Sequence, residues 1–124
     1  GCPKDYMPNS SILKWLNECK KKIFIFNDVI KAVKNADVIL TDKVISINDK
    51  VNEKKKLAKF KNFVVTQKVI KKAKKNCIFL HCLPRGSEVD DSVFTSEQSK
   101  VWHQAANRVH VQKSIILYCL GKLR

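Results

Sequence analysis

Long apolar runs are missing from this sequence. No stretch of about 18 apolar residues occurs, so no membrane-spanning helix is expected. No Cys-x-x-Cys pair exists, which removes the commonest zinc spacings. RNP-type, zinc-finger and Gly-rich clamp motifs are absent too, so nothing at motif level supports a nucleic-acid reader. Internal repeats and low-complexity linkers are lacking. The chain opens on Gly1-Cys2-Pro3-Lys4 rather than Met and carries no signal-peptide pattern. It therefore reads as a processed product or as a piece of something longer. Arginine is scarce, at positions 85, 108 and 124 only, and acids number 11 against 25 Lys and Arg.

Lysine, by contrast, abounds, and the net charge is +14. The lysines are spread through 20–22, 54–56, 71–72 and 74–75, mostly on expected helices. That distribution reads as a solvated face, with non-specific polyanion binding expected at low salt. Five cysteines is an odd number. Cys77, Cys82 and Cys119 lie in or beside apolar segments, which suits reduced thiols in a cytoplasmic or matrix-like compartment rather than a disulfide framework. Cys77, His81 and Cys82 invite a metal reading. Successive strand residues face opposite sides, however, so His81 and Cys82 diverge, and no metal is expected.

A length of 124 residues suits one domain, and 44% hydrophobic content can fill a core. Ser10 or Ser11 can cap a helix to about Lys21 with Ile12, Leu13, Leu16 and Cys19 inward. Ile23–Phe26 reads as a strand. Asp28 can cap a short helix to about Asn35, and Val38–Thr41 reads as the next strand. A polar segment and a lysine-rich helix near Lys54–Lys61 follow. After a short extended piece at Phe63–Val65, Thr66 caps a helix near Gln67–Lys75, with Val69, Ile70 and Ala73 inward. Cys77–Leu80 is a strand, Asp90–Phe94 a turn of helix, Lys100–Trp102 an edge-like strand, and Asn107–Leu120 a last helix. Strands alternating with helices predict an α/β fold with a parallel sheet.

The chemistry collects at Cys77-Ile78-Phe79-Leu80-His81-Cys82-Leu83-Pro84-Arg85-Gly86. Pro84 cannot continue a ladder and Gly86 permits a sharp turn, so the strand opens into a loop at its carboxyl end. Ligands bind at that end of open α/β sheets. His81 and Cys82 then stand at the mouth of a site, with Arg85 close behind. His81 itself reads as a hydrogen-bonded structural residue, and His103 and His110 have no motif support as catalysts. Taken singly, Asp42 is a loop acid or helix cap, Ser46 a solvated serine, Cys82 a small buried side chain and Arg108 a surface arginine.

Together these residues match a family. His81-Cys82-Leu83-Pro84-Arg85 resembles the second-domain motif of ornithine carbamoyltransferases, and Cys82 points to the ornithine branch over the aspartate branch. Ala36–Asp42 resembles the strand and aspartate before the ornithine loop. Ser46-Ile47-Asn48 sits where the family has Ser-Met-Gly, Glu88–Phe94 fits the segment after the cysteine, and Ala106-Asn107-Arg108 sits where the family has Glu-Asn-Arg. The resemblance implies carbamoyl transfer from carbamoyl phosphate to the δ-amine of L-ornithine, giving citrulline and phosphate, with no cofactor. It assigns Asp42, Ser46 and Ile47 to ornithine binding. Cys82 would lie beside the attacking amine, Leu83 would act through its carbonyl, and Arg108 would grip carbamoyl phosphate. Cys82 and Arg108 are the catalytic candidates.

The resemblance also implies a doubly wound, Rossmann-like sheet in the order 2-1-3-4-5 that lacks its first, central strand. Residues 1–124 would be a partial ornithine-binding domain. The family's carbamoyl-phosphate domain, with Ser-x-Arg-Thr and His-Pro-x-Gln, has no counterpart here, so the isolated chain is expected to be inactive and the trimer to belong to the complete enzyme. A last helix apolar around most of its circumference should then be exposed. Ile47, Asn48 and Ala106 depart from the family pattern. A non-enzymatic remnant or binding module of the same fold is the alternative, and a basic nucleic-acid-binding domain, motivated by charge alone, is a third.

Overall fold

A computed structural model describes residues 1–19, 23–46 and 52–122. After a 3-10 turn at Lys4–Tyr6 come α1 (Ser10–Glu18), α2 (Val29–Val33), β1 (Val38–Thr41), α3 (Glu53–Phe60) and a 3-10 turn at Lys61–Phe63. The one-turn helix α4 (Gln67–Ile70), β2 (Ile78–His81), the one-turn helix α5 (Asp91–Phe94) and the long α6 (Val101–Cys119) complete the chain. Side-chain caps set several of these starts. Asn9 accepts from the Ile12 amide at 3.0 Å, Asp28 from Lys31 at 3.0 Å and Asn52 from Lys55 at 3.1 Å. Thr66 accepts from Val69 at 3.4 Å. The cap of α1 is thus Asn9, one residue before the expected serines. Asn35, just past α2, takes the left-handed conformation at φ 58°, which asparagine tolerates.

β1 and β2 form a parallel pair in the register Val38↔Ile78, Ile39↔Phe79, Leu40↔Leu80 and Thr41↔His81. Two bonds tie the turns that precede them: Lys74 N–H donates to the Ala36 carbonyl (3.1 Å) and Ile78 N–H to Asp37 (3.1 Å). One face of the pair is buried, with Ile39, Phe79 and His81 pointing inward. Val33, Val65, Val69, Ile70, Cys77, Val89, Val93, Phe94 and Val101 fill the rest of the core. Val65 bridges Val89 outside the sheet, and Phe79 bridges Ser99. Phe60 stacks edge-on against Tyr6 (4.8 Å between centroids), and Lys59 pairs with Asp5 at 2.7 Å, so α3 is fastened to the first 3-10 turn.

The sequence reading predicted more strands than form. Among the described residues Ile23–Phe26 has no ladder; Cys2 N–H donates to the Phe26 carbonyl (3.0 Å). A strand needs a neighbour along its length, and β1 is paired on one edge alone among the described residues. Lys100–Trp102 is not a strand either. Lys100 N–H donates to the Phe79 carbonyl at 2.8 Å, but Gln104 N–H then takes the Lys100 carbonyl at 2.9 Å and the chain turns into α6. That helix starts well before Asn107. Its first residue, Val101, is buried, while Val109, Ile115, Ile116, Leu117 and Tyr118 are exposed, as expected for the last helix. α1 buries no residue fully, and Ile12 faces solvent rather than inward. No helix among the described residues is long and apolar enough to cross a membrane.

Candidate functional site

Parallel pairing decides what meets at the carboxyl ends. Thr41 is opposite His81, so the next residues, Asp42 and Cys82, leave the sheet side by side. The Cys82 thiol donates to Asp42 Oδ1 at 2.9 Å, across 40 residues of sequence. The Lys43 amide donates to the same oxygen at 2.7 Å. These two donors, the thiol first, hold the Asp42 carboxyl below its ordinary value of 3.8. The same bond, with burial second, pushes the Cys82 thiol above its ordinary 9.0. Asp42 adds stability above pH 3.8, and that share is lost as pH falls through its lower folded value. The Cys82 share is full below pH 9.0 and is lost as pH rises through the raised folded value. Alkylation of Cys82 by iodoacetamide should therefore have a higher pH midpoint in the folded chain than in urea. Asp42→Asn should bring the midpoint back down. Equal midpoints in folded and unfolded chains would contradict the contact.

His81 points the other way, into the core, as strand alternation requires. Its Nε2 lies 2.9 Å from Glu88 Oε1, and its Nδ1 faces the Cys82 carbonyl. The Nε2 contact lacks the geometry of an in-line hydrogen bond. The His81 amide donates to Gln104 Oε1 at 3.1 Å, which fixes the start of α6 beside the site. Arg108 lies one helical turn beyond Gln104 and so shares its face of α6. It is exposed, and no hydrogen bond or ion pair engages it among the described residues.

Arg85, expected close behind the mouth of the site, is held by α5 and the residues before it. Its guanidinium donates to the Val89 carbonyl at 3.2 Å, pairs with Asp91 and covers the Phe94 ring at 4.8 Å. It fastens the loop after Pro84 onto α5. Leu83 is exposed beside Cys82, and the Leu83–Pro84 peptide is cis. Ser46 is exposed on the loop after Asp42, and Ile47 lies outside the described residues. A cleft of about 480 Å³ adjoins the strand ends, with Asp42, Lys43, Val44, Lys56 and Glu88 among its lining and apolar residues of α2, β1 and α3 behind them. Among the described residues no group of three His, Cys, Asp or Glu side chains could hold a metal ion.

Asp42 and Cys82 are thus brought into contact, while Arg108 stands on the adjoining helix. Sequence reasoning missed Glu88 and Gln104 as parts of this region. Neither carries a local signal: Glu88 is an acid in a loop and Gln104 a polar residue on a helix, and the contacts that bring them here reach Val44, 44 residues from Glu88, and His81, 23 residues from Gln104.

Residues 1–119 match the model of the aspartate/ornithine carbamoyltransferase family, Asp/Orn binding domain. The anabolic ornithine carbamoyltransferase of Pyrococcus furiosus is 37% identical over 128 residues, covering 98% of this chain and 41% of the relative. The ornithine carbamoyltransferase of Methanococcus vannielii is 41% identical over 126 residues, covering 95% and 41%. The solved Pyrococcus furiosus enzyme superposes with a TM-score of 0.82 over 98% of this chain and 41% of its own. The anabolic enzyme of Campylobacter jejuni gives 0.82 at 29% identity, over 98% and 42%. The chain spans about two fifths of the length of these relatives. With the family's model matched over residues 1–119, the chain belongs to the aspartate/ornithine carbamoyltransferase family and corresponds to its Asp/Orn binding domain.

Proposed function

We propose that this chain is the ornithine-binding, C-terminal part of an ornithine carbamoyltransferase, a cytoplasmic enzyme of arginine biosynthesis. The reading is carried by the Cys82–Asp42 hydrogen bond, 2.9 Å across the carboxyl ends of β1 and β2. A carboxylate held in its charged form can take the ammonium of ornithine, and the thiol can orient the amine that attacks the carbamoyl carbon. Lys43 and Lys56 line the same cleft and offer positive charge for the amino-acid carboxylate. Ser46, Ile47 and the Leu83 carbonyl complete the ornithine side, and Arg108 presents a planar fork to carbamoyl phosphate.

The reaction needs no covalent intermediate. Both substrates must be held in attack geometry, the amine kept neutral at the moment of attack, and charge on the carbonyl and phosphate oxygens met by fixed donors. The remaining carbamoyl phosphate ligands belong to an N-terminal domain of the complete, trimeric enzyme. Residues 1–124 alone then form no citrulline. In the complete domain the sheet is doubly wound in the order 2-1-3-4-5, and its central strand lies on the open edge of β1.

Calorimetric titration of the chain with L-ornithine tests the binding half of this reading. Heat of binding that disappears in Asp42→Asn is the expected result. No binding at millimolar ornithine, or binding indifferent to Asp42, would overturn it. A second reading, a non-enzymatic binding module of the same fold, is favoured by Ala106, which leaves Arg108 without the carboxylate that the family places beside it. Ornithine binding without turnover in a completed enzyme would select it.

A further inference from the structure

Glu88 is the other buried ionisable residue at the site besides His81, with 5% and 1% of their surfaces exposed. A buried carboxylate is costly unless its oxygens are satisfied. Here the partners come from three separate segments. Oε1 accepts from the Gly86 amide in the loop after Pro84 and lies 2.9 Å from His81 Nε2 at the end of β2. Oε2 accepts from the Val44 amide at 3.4 Å, in the loop that carries Asp42. The Glu88 main chain is held as well, since its carbonyl takes the Val65 amide at 2.9 Å. At Gly86 a Cβ would sit 2.7 Å from Glu88 Oε2, so a side chain there would push the carboxylate out of its present position.

We infer that Glu88 is a positioning residue, whose carboxylate joins the Asp42 loop to the Cys82 strand end and keeps the two in hydrogen-bonding contact. It touches neither Asp42 nor Cys82. It acts through Val44, two residues beyond Asp42, and through His81, which adjoins Cys82. Lys43 lies between Asp42 and Val44, and its amide reinforces the same turn. What Asp42 and Cys82 then do rests on the function proposed above, but the tether itself does not.

Glu88→Gln keeps the size and one acceptor oxygen while placing an N–H₂ where one of the acceptors stood. Either the Val44 amide or the Gly86–His81 side then faces a donor. The readout is the rate of Cys82 alkylation by iodoacetamide at neutral pH, followed by peptide mass spectrometry. Releasing Cys82 from Asp42 should make the thiol more reactive. Glu88→Gln should raise the Cys82 rate several-fold, toward that of Asp42→Asn, and the double variant should react no faster than Asp42→Asn alone. Such non-additivity is the mark of two residues acting through one contact. Cys77, 1% exposed, reports the fold by staying protected. An unchanged Cys82 rate with Cys77 protected, or independent effects that multiply in the double variant, would overturn the inference.

Should Glu88→Gln unfold the chain, as labelling of Cys77 would reveal, amide exchange in the parent chain decides instead. The Val44 amide should exchange more slowly than the Ile45 amide beside it; equal rates would overturn the tether. Ornithine enters neither assay. A failure of ornithine binding therefore strikes the proposed function and leaves Glu88 standing, and the reverse holds for an unchanged thiol.

Discussion

In an enzyme completed by a carbamoyl-phosphate-binding half, Cys82→Ala and Arg108→Ala should each lower citrulline formation by roughly 30- to 1000-fold, about 2–4 kcal/mol at the transition state. The two losses have different causes. Cys82→Ala removes the hydrogen that now occupies Asp42 Oδ1, so the carboxylate is no longer aimed and the amine loses an orienting partner. Cys82→Ser keeps a donor and should retain more activity than Ala. Arg108→Ala removes a guanidinium that makes no hydrogen bond or ion pair among the described residues. Its loss costs the fold little, so the effect should fall on turnover with stability unchanged. Near-parental rates for both alanine variants would remove these residues from the site. Ala106→Glu runs the other way: a carboxylate two residues before Arg108 should raise turnover if the arginine needs orienting.

The parts of this site that could be read from sequence are those where a local pattern and a strand end coincide. Val38–Thr41 and the run from Cys77 gave β1 and most of β2, and the residues that follow them, Asp42 and Cys82, are the ones in contact. Asp28 and Thr66 act as the caps they resemble because that signal is confined to three residues. The failures involve partners. Ile23–Phe26 has the apolar composition of a strand, but composition cannot supply the neighbouring edge that a ladder needs. Lys100–Trp102 makes one backbone bond to β2 and then yields to α6. Arg85 follows the motif cysteine closely in sequence, yet Asp91, Val89 and Phe94 hold it elsewhere. Glu88 illustrates the same limit in reverse: its importance lies in contacts with His81, Gly86 and Val44, and one of these is 44 residues away.

The two faces of the β1–β2 pair should respond very differently to truncation. Phe79 is 0% exposed, centred in β2, and its backbone bonds both Gln98 and Lys100 (2.8 Å each). Phe79→Ala leaves a void in the core and should cost about 3–5 kcal/mol. Folded domains are typically stable by about 5–15 kcal/mol in total, so this one change should remove most of the margin. Leu40, one residue along from Phe79's partner Ile39, is 66% exposed. Leu40→Ala on such a surface should cost within about 0.5 kcal/mol. The contrast matters because parallel sheets are ordinarily covered on both faces, and here Val38 and Leu40 are not. Urea unfolding followed by circular dichroism measures both variants. A large, concentration-dependent loss in Leu40→Ala would mean that this face is covered in solution by another copy of the chain. Equal small losses in the two variants would mean that Phe79 does not centre the core.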